Sequence, residues 1–536
     1  MNRDRSLTGP VQLVCLASFL LVGLFVTLNH ELWRDEMQHW SIGIASESPA
    51  DVFHRVEYEN SPALWHFILY GITRVTRNPV AMQVVHVLLA TIGAAIFLRW
   101  SPFGRLQKIL FLFGYYSAYE YCVISRHYVL ESLFLFIFLA CVPWRGKKAI
   151  VAAFALFFLT QTSLFGLFMA FAAAVAWLAR HTWPPDGVKR APTRQLALPM
   201  IIVAASGLWS YTQIVPPADS AMHPFWDFFN KWWALRAGTV VWRGFVPFPA
   251  MRVDFWNTNI LDTFHVLHDS TDLPSLLAQC LLTVAVLLGS FILFRKRPES
   301  LAMFFIVTGL CMILFFFRKL GYVRHHGHVF LAWVAALWLL WSQSPARTDG
   351  DRRHGFIFNR LSPWVTCLFV IHVGAAAYAA VIDYRYPFSR SGETANWIRS
   401  VGMQDDIVMA PAVIASHLDR DVFMYDQGAF GTYRIWKLPY PEHNPKKLIR
   451  DAERFCRTRG KPVLIVTHVA IEADDVDGKL TRIKEIRGSV IVEDEAFYLY
   501  TLRDPPHMAT DGPADDQQSV ADEPQRQNQP RTSAAF

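Results

Sequence analysis

Asp35 and Glu36 stand side by side in the segment LWRDEMQHW (residues 32–40), between two tryptophans and just after the first long apolar run. Adjacent carboxylates at a membrane surface suit general-base chemistry. One takes a proton from an attacking group while its neighbour orients it or holds a cation. In a helix His39 falls four residues from Asp35 on the same face. That pair is therefore where a divalent cation would sit, although two ligands at helical spacing fall short of a metal site. An ordinary interfacial helix, with solvated acids and tryptophans at headgroup level, gives the same string. Both readings stand on these residues alone.

Two further segments carry charge where apolar residues are the rule. In FRKLGYVRHHGHVF (317–330), Arg318, Lys319, Arg324, His325, His326 and His328 break the loop-charge pattern described below. An anion at the interface explains such an excess, because arginine makes bidentate contacts with phosphate. A wrong span count or contact with anionic lipid headgroups explains it equally, and HHGH lacks the rest of a metal site. In YEYCVISRHYVLESLF (119–134), Glu120, Arg126, His127 and Glu131 lie near one end of a helical pair. Charges at membrane depth pair together or face a cavity. Arg126 is expected either to pair with Glu131 or Glu120, or to wall a substrate pocket. The aromatic run FWDFFNKWWALRAGTVVWRGF (225–245) suits a helix lying on the membrane surface or an acceptor groove. Asp219 and Asp227 beside it have no special spacing.

The elements that must hold these residues are mostly membrane helices. Of 536 residues, 53% are hydrophobic and only 18% charged, against roughly 25% charged in soluble domains. Apolar runs at 11–28, 80–100, 109–124, 129–142, 149–160, 163–178, 196–215, 276–294, 301–317, 329–341 and 363–382 read as about eleven spans, since about 20 helical residues cross a bilayer. The fifth and sixth are short and also fit one reentrant pair. The first reads as a retained signal anchor. The formal net charge is +7. The basic residues fall mostly in alternate short loops, so they report topology and not nucleic acid. With the N-terminus inside, those loops are cytoplasmic.

Long outer loops then cover 29–79 and 216–274. A third outer segment, 383–503, is a small α/β domain with strands in DIVMAP, RDVFMYD, KPVLIVTH and SVIVEDEAFYLYTL and helices in SGETANWIRSV and PKKLIRDAERFCRTRG. The tail 504–536 has the composition of a disordered segment. Of 7 cysteines only Cys456 lies in the soluble part, so no disulfide framework is expected. Neither GxxxxGK[ST] nor GxGxxG occurs, which leaves a nucleotide-driven pump or a nucleotide-sugar site unsupported. The chain also lacks an N-x-[ST] sequon and a retrieval signal, pointing to a bacterial plasma (inner) membrane. The expected fold is a polytopic α-helical membrane domain, 1–382, followed by an extracytoplasmic α/β domain.

A first outer loop that opens on Asp-Glu, continues through SPALWHFILYGI (61–72) and leads into another span resembles the GT-C glycosyltransferases. These include the protein O-mannosyltransferases and the lipid A aminoarabinose transferases. The likeness covers 13–382 in layout, and SRHYVLESLF adds the Arg-x-Tyr opening of a span. The resemblance implies transfer of a sugar from a polyprenyl-phosphate donor to an extracytoplasmic glycan, lipid or protein. It casts Asp35 as base, Glu36 as its helper and Arg324 as the contact to the carrier phosphate. Tyr322, His325, Lys319, Arg126 and Glu120 complete the substrate-binding candidates. Some GT-C enzymes use a divalent cation and others do not. Asp35 and His39 are the ligands such an ion would have here. Two other readings remain: a polymerase or ligase of lipid-linked glycans, and a non-catalytic glycolipid transporter or flippase. Asp35 and Glu36 in an outer cavity beneath the soluble domain would favour the transferase, and a continuous pore the transporter.

Overall fold

The structure, a computed structural model, describes residues 9–184, 192, 194–221, 231–262, 273–317, 321–342, 351–439, 444–472, 478–491 and 495–503. The tail expected to be disordered, Asp227, Arg318 and Lys319 lie outside the described residues.

Chain order begins with α1 (Gly9–Asn29), followed by a cluster of short helices, α2 (Arg34–Ala45), α3 (Pro49–Arg55) and α4 (Leu64–Thr73). Next come α5 (Val80–Trp100), α6 (Arg105–Leu112), a π-helical segment Tyr115–Glu120, α7 (Tyr128–Ala140), α8 (Lys147–Thr160), α9 (Leu164–Thr182) and α10 (Arg194–Ile214). Then follow α11 (Lys231–Phe245), α12 (Leu273–Phe294), α13 (Pro298–Phe317), α14 (Val323–Trp341) and α15 (Asp351–Arg385). Among the described residues, seven helices are long and apolar enough to cross a membrane: α1, α5, α9, α10, α12, α13 and the part of α15 from Leu361 to Arg385.

The expected count of eleven is not reproduced, for physical reasons that differ by segment. The run at 109–124 is not one helix. α6 stops at Leu112, and Gly114 follows with α15 so close that a Cβ there would lie 3.1 Å from the His372 Cβ. The chain then continues as a π-helix that buries Tyr115, Tyr116 and Tyr119 and ends on Glu120. α7 and α8 have 13 and 14 residues, or about 20 Å at 1.5 Å per residue, short of a ~30 Å hydrocarbon core. The fifth and sixth runs are two helices, with the second started by Ser163, whose Oγ accepts from the N–H groups of Phe165 and Gly166. α14 is long enough, but its first turns hold Arg324, His325, His326 and His328 and almost all of it is buried. The aromatic run ends in α11, which packs against α12, α13 and α14 with Ala237, Val240, Val241 and Phe245 buried, not alone on a surface.

The C-terminal part folds as α/β. α16 (Ser391–Ser400) leads to β1 (Ile407–Met409), α17 (Ala412–Leu418), β2 (Val422–Met424), β3 (Ala429–Gly431), α18 (Pro445–Arg459), β4 (Val463–Thr467), β5 (Leu480–Ile486) and β6 (Phe497–Leu502). The sheet order is β3-β2-β1-β4-β6-β5, with β1 parallel to both β2 and β4 and the outer pairs antiparallel. α18 begins at Asn444, whose side chain accepts from Lys446 N–H at 2.9 Å, and ends on left-handed Gly460.

The sheet is not a separate globule. One apolar cluster joins Leu32, Met37 and Trp40 of the first loop and Trp65 and Leu69 of α4 to Ile398, Val413, Ile414 and Leu464 of the C-terminal part. α2 packs on α4 on one side and on α17 on the other. The α2–α4 approach needs Gly43, where a Cβ would meet the Leu69 Cβ at 3.1 Å.

Candidate functional site

The start of α2 fixes the acidic pair. Glu36 occupies the third helical position and its Oε2 accepts the N–H of Trp33 at 3.2 Å, closing the helix end. Its Oε1 accepts from Ser125 N–H at 2.5 Å, and His30 Nε2 lies 3.2 Å from Oε2. His30 Nδ1 in turn lies 2.7 Å from Asp383 Oδ2, which also accepts from the Tyr119 hydroxyl at 3.0 Å. Glu36 is thus fully buried and engaged on both oxygens. It tethers α2 to the loop that carries Arg126. Burial alone would lower the pKa of His30, but Asp383 and Glu36 outweigh it and raise it to about 10. His30 is therefore an imidazolium donating to two carboxylates.

A pKa raised on folding means that the group stabilises the fold fully below its ordinary value near 6.5, and that this stability is lost as pH rises through about 10. His30→Gln should cost about 3–5 kcal/mol, as expected when one partner of a buried ion pair is removed. It should also flatten the fall in melting temperature between pH 7 and 10, read by thermal melts of both proteins. Parallel pH profiles would remove the charged role assigned to His30.

Asp35 lies one residue earlier and points elsewhere. Its Oδ2 is 2.5 Å from Arg126 Nη1 and 3.4 Å from Arg324 Nη2, and its Oδ1 is 3.6 Å from Arg34 Nε. Burial pushes this carboxyl up, but Arg126, Arg324 and Arg34 outweigh it and hold it well below the ordinary range. Arg324 comes from the first turn of α14. That turn seats on the broken helix because residue 327 is glycine: a Cβ there would collide with the Tyr121 hydroxyl and the Tyr116 ring. The Tyr121 hydroxyl also donates to the Arg324 carbonyl at 2.6 Å. The Arg324 guanidinium lies over the rings of Tyr322 at 4.6 Å, Trp256 at 5.0 Å and Trp33 at 5.3 Å. Nε and Nη1 of Arg324 and Nε of Arg126 are buried without a hydrogen-bond partner among the described residues. Buried donors are nearly always paired, so this cluster has unspent capacity for an anion.

The remaining candidates separate into neighbours and scaffolding. Arg126 pairs with Asp35, not with Glu131 or Glu120 as the sequence suggested. Glu131 is taken by His328 at 2.5 Å and by the Ser163 hydroxyl at 2.6 Å. Glu120 lies behind the aromatic cage, accepting from Tyr115 at 2.9 Å and Trp256 at 3.3 Å. His325 accepts the Tyr322 N–H at 3.1 Å and meets the Tyr128 hydroxyl at 3.1 Å. His39 turns away from Asp35 to His66, at 2.6 Å. Burial and Arg126 lower the pKa of both, His66 to about 3. Among the described residues no group of three or more His, Cys, Asp or Glu side chains is arranged to hold a metal.

On its other side Asp35 borders a cavity of about 270 Å³. The floor is Arg34, Asp35 and Gln38 of α2, and the roof is C-terminal, with Tyr425, Asp426, Arg434 and Trp436 among its residues. Sequence reasoning missed this roof, as it missed His30 and Asp383. The roof residues lie almost four hundred positions from α2 and match no motif. Asp383, an acid at the end of the last span, was the one available signal.

No family model matches the chain, and no curated protein matches it. Among solved structures it is similar to ArnT from Cupriavidus metallidurans bound to undecaprenyl phosphate, with 10% sequence identity and a TM-score of 0.50 over 92% of this chain and 98% of that one. The likeness spans both the helical part and the C-terminal sheet, and the chain is a multi-pass membrane protein with a GT-C-like fold.

Proposed function

We propose that this chain is a membrane glycosyltransferase that moves a sugar from a polyprenyl-phosphate donor to an extracytoplasmic acceptor. One observation carries the reading: Asp35 is held by Arg126 and Arg324, whose guanidinium donors are buried and incompletely used. That is a carboxylate beside an anion pocket, as displacement at a phosphate-bearing anomeric carbon requires. The carrier phosphate would take up the free donors of Arg324 and Arg126. Its charge grows as the glycosidic bond breaks, so fixed cations favour the transition state over the ground state. Asp35 would accept the proton of the attacking hydroxyl. Glu36 becomes a positioning residue, since its oxygens hold Trp33, Ser125 and His30.

Undecaprenyl phosphate bound to the structural neighbour supports the class of donor. The cavity roofed by the C-terminal part supports a transferase over a transporter. Basic loops on the opposite side favour chemistry on the outer face of the plasma membrane, with the sheet domain outside. The test is a screen of radiolabelled undecaprenyl-phosphate sugars with purified protein in proteoliposomes, reading release of the carrier. Turnover of at least one donor is expected. Absence of both turnover and undecaprenyl phosphate binding would remove the reading.

A further inference from the structure

We propose that the cavity between α2 and the C-terminal sheet is the acceptor subsite, and that it takes a neutral saccharide hydroxyl and not a phosphate. The inference rests on the transferase reading and adds the acceptor class.

Position comes first. Asp35 is shared: Oδ2 faces the arginines of the anion pocket, while the residue also lines the cavity floor with Arg34 and Gln38. A group in the cavity therefore lies across the carboxylate from the place where a donor phosphate would bind. In the reaction, the acceptor oxygen bonds to the anomeric carbon. The carbon–oxygen bond to phosphate breaks with its electron pair going to the phosphate, and the hydroxyl proton passes to Asp35.

Charge comes next. The anion pocket has guanidinium in excess. The cavity has Arg34 beside Asp35 at 3.6 Å and Arg434 beside Asp426 at 3.4 Å, so its described arginines and acids balance. A dianionic phosphate there would meet two carboxylates. A diol suits the set better, because it donates to carboxylate and accepts from guanidinium at once. The rings of Tyr425 and Trp436 also line the space, with the Arg434 guanidinium 4.3 Å from the centroid of the Trp436 ring, so a sugar would stack on that ring's opposite face. The C–H face of a sugar ring is attracted to the negative face of an aromatic ring. At about 270 Å³ the cavity is just under the ~300 Å³ lower end for drug-sized ligands, and it suits one monosaccharide unit.

The wall is also built to stay in place. Gln38 clamps the main chain of Arg434 in both directions, donating to its carbonyl at 2.6 Å and accepting its N–H at 2.9 Å. The next residues are tied to the second loop. Ala221 N–H donates to the Trp436 carbonyl at 2.8 Å, and Leu438 N–H donates to Asp219 at 2.7 Å. Preorganised walls of this kind lower the cost of ordering on binding.

The experiment is saturation-transfer NMR on the full chain in nanodiscs. The probes are methyl glycosides of glucose, galactose, mannose, N-acetylglucosamine and arabinose, alongside the matching sugar 1-phosphates, all added with the anion pocket filled by saturating undecaprenyl phosphate. At least one methyl glycoside should bind, more tightly than its phosphate counterpart. Trp436→Ala should weaken it by about tenfold or more, while Trp436→Phe, which keeps an aromatic face, should stay within about threefold. The phenylalanine variant and thermal melts separate lost contact from lost fold. Binding of no glycoside, preference for the sugar phosphates, or undiminished binding in Trp436→Ala would each overturn the assignment. Undecaprenyl phosphate binding is read in the same samples. Its absence from the unmodified protein would count against the transferase reading, whereas its presence without glycoside binding would sink the acceptor subsite alone.

Discussion

Asp35→Asn is expected to reduce turnover by about 10²–10⁴-fold, the usual range for a lost general base, while binding of the carrier phosphate is retained or tightened. The second half of that expectation follows from the geometry. Asp35 is paired with Arg126 and Arg324, so a phosphate entering the proposed site would compete with it for both. Removing the carboxylate charge frees both guanidiniums for the phosphate. In the unmodified protein the same pairing would make Asp35 a weak base until a donor arrived. Burial raises its pKa, but the three arginines outweigh that and hold it below the ordinary carboxylate range. Phosphate bound to Arg324 and Arg126 would relax their hold, so proton acceptance would strengthen once a donor was in place.

The pH dependence follows the same sign. For a carboxyl lowered on folding, the contribution to stability is full above its ordinary pKa near 3.9 and is lost as pH falls through the lowered value. The free-enzyme profile, kcat/KM, should therefore show no acidic limb from Asp35 down to about pH 4, whereas the limb in kcat should lie higher. Turnover and undecaprenyl phosphate affinity measured from pH 4 to 9 check both statements. Unmodified turnover in Asp35→Asn would remove the proposed base.

Arg324→Ala is expected to weaken donor binding and turnover together, by about 2–5 kcal/mol for a desolvated charge pair. Arg324→Lys should recover only part of the loss. Lysine is a point charge without the planar fork, and it cannot spread over Tyr322, Trp256 and Trp33 as the guanidinium does. Asp35 keeps Arg126 as a partner in either variant, so the fold should survive. The measurements are undecaprenyl phosphate affinity by native mass spectrometry and turnover with the donor found by screening. Undiminished affinity in Arg324→Ala would mean that the anion pocket lies elsewhere.

Much of this arrangement was legible because apolar runs and loop charges are local signals. Seven of the expected spans correspond to helices of membrane-crossing length, and α16, α18, β1, β2 and β4 lie where their patterns indicated. The errors have local causes too. The run at 109–124 is apolar enough for a span, but Gly114 and the crowded tyrosines break it in a way that hydropathy does not register. β5 escaped notice because its middle residues, Thr481–Glu485, are exposed on both faces, so no alternation appears. Arg126 and Glu131 are close in sequence and invited pairing. Their actual partners, Asp35 and His328, come from other helices. Spacing can propose a pair only within one element, and the cavity roof is assembled entirely between elements.

The apolar cluster that joins the first loop to the C-terminal sheet also has a temporal meaning. Leu32, Met37 and Trp40 leave the ribosome early, while Val408, Ala410 and Ile414, which cover them, follow roughly 370 residues later. At about 5–20 residues per second that interval is on the order of 20–70 s. Throughout it the first loop has an apolar helix of membrane-crossing length on each side but no completed core. Until then this part of the nascent chain carries an apolar surface that its final partners have not covered. The cavity beneath the sheet closes only when the C-terminal segment arrives, so its geometry is a product of the end of synthesis and not of membrane insertion.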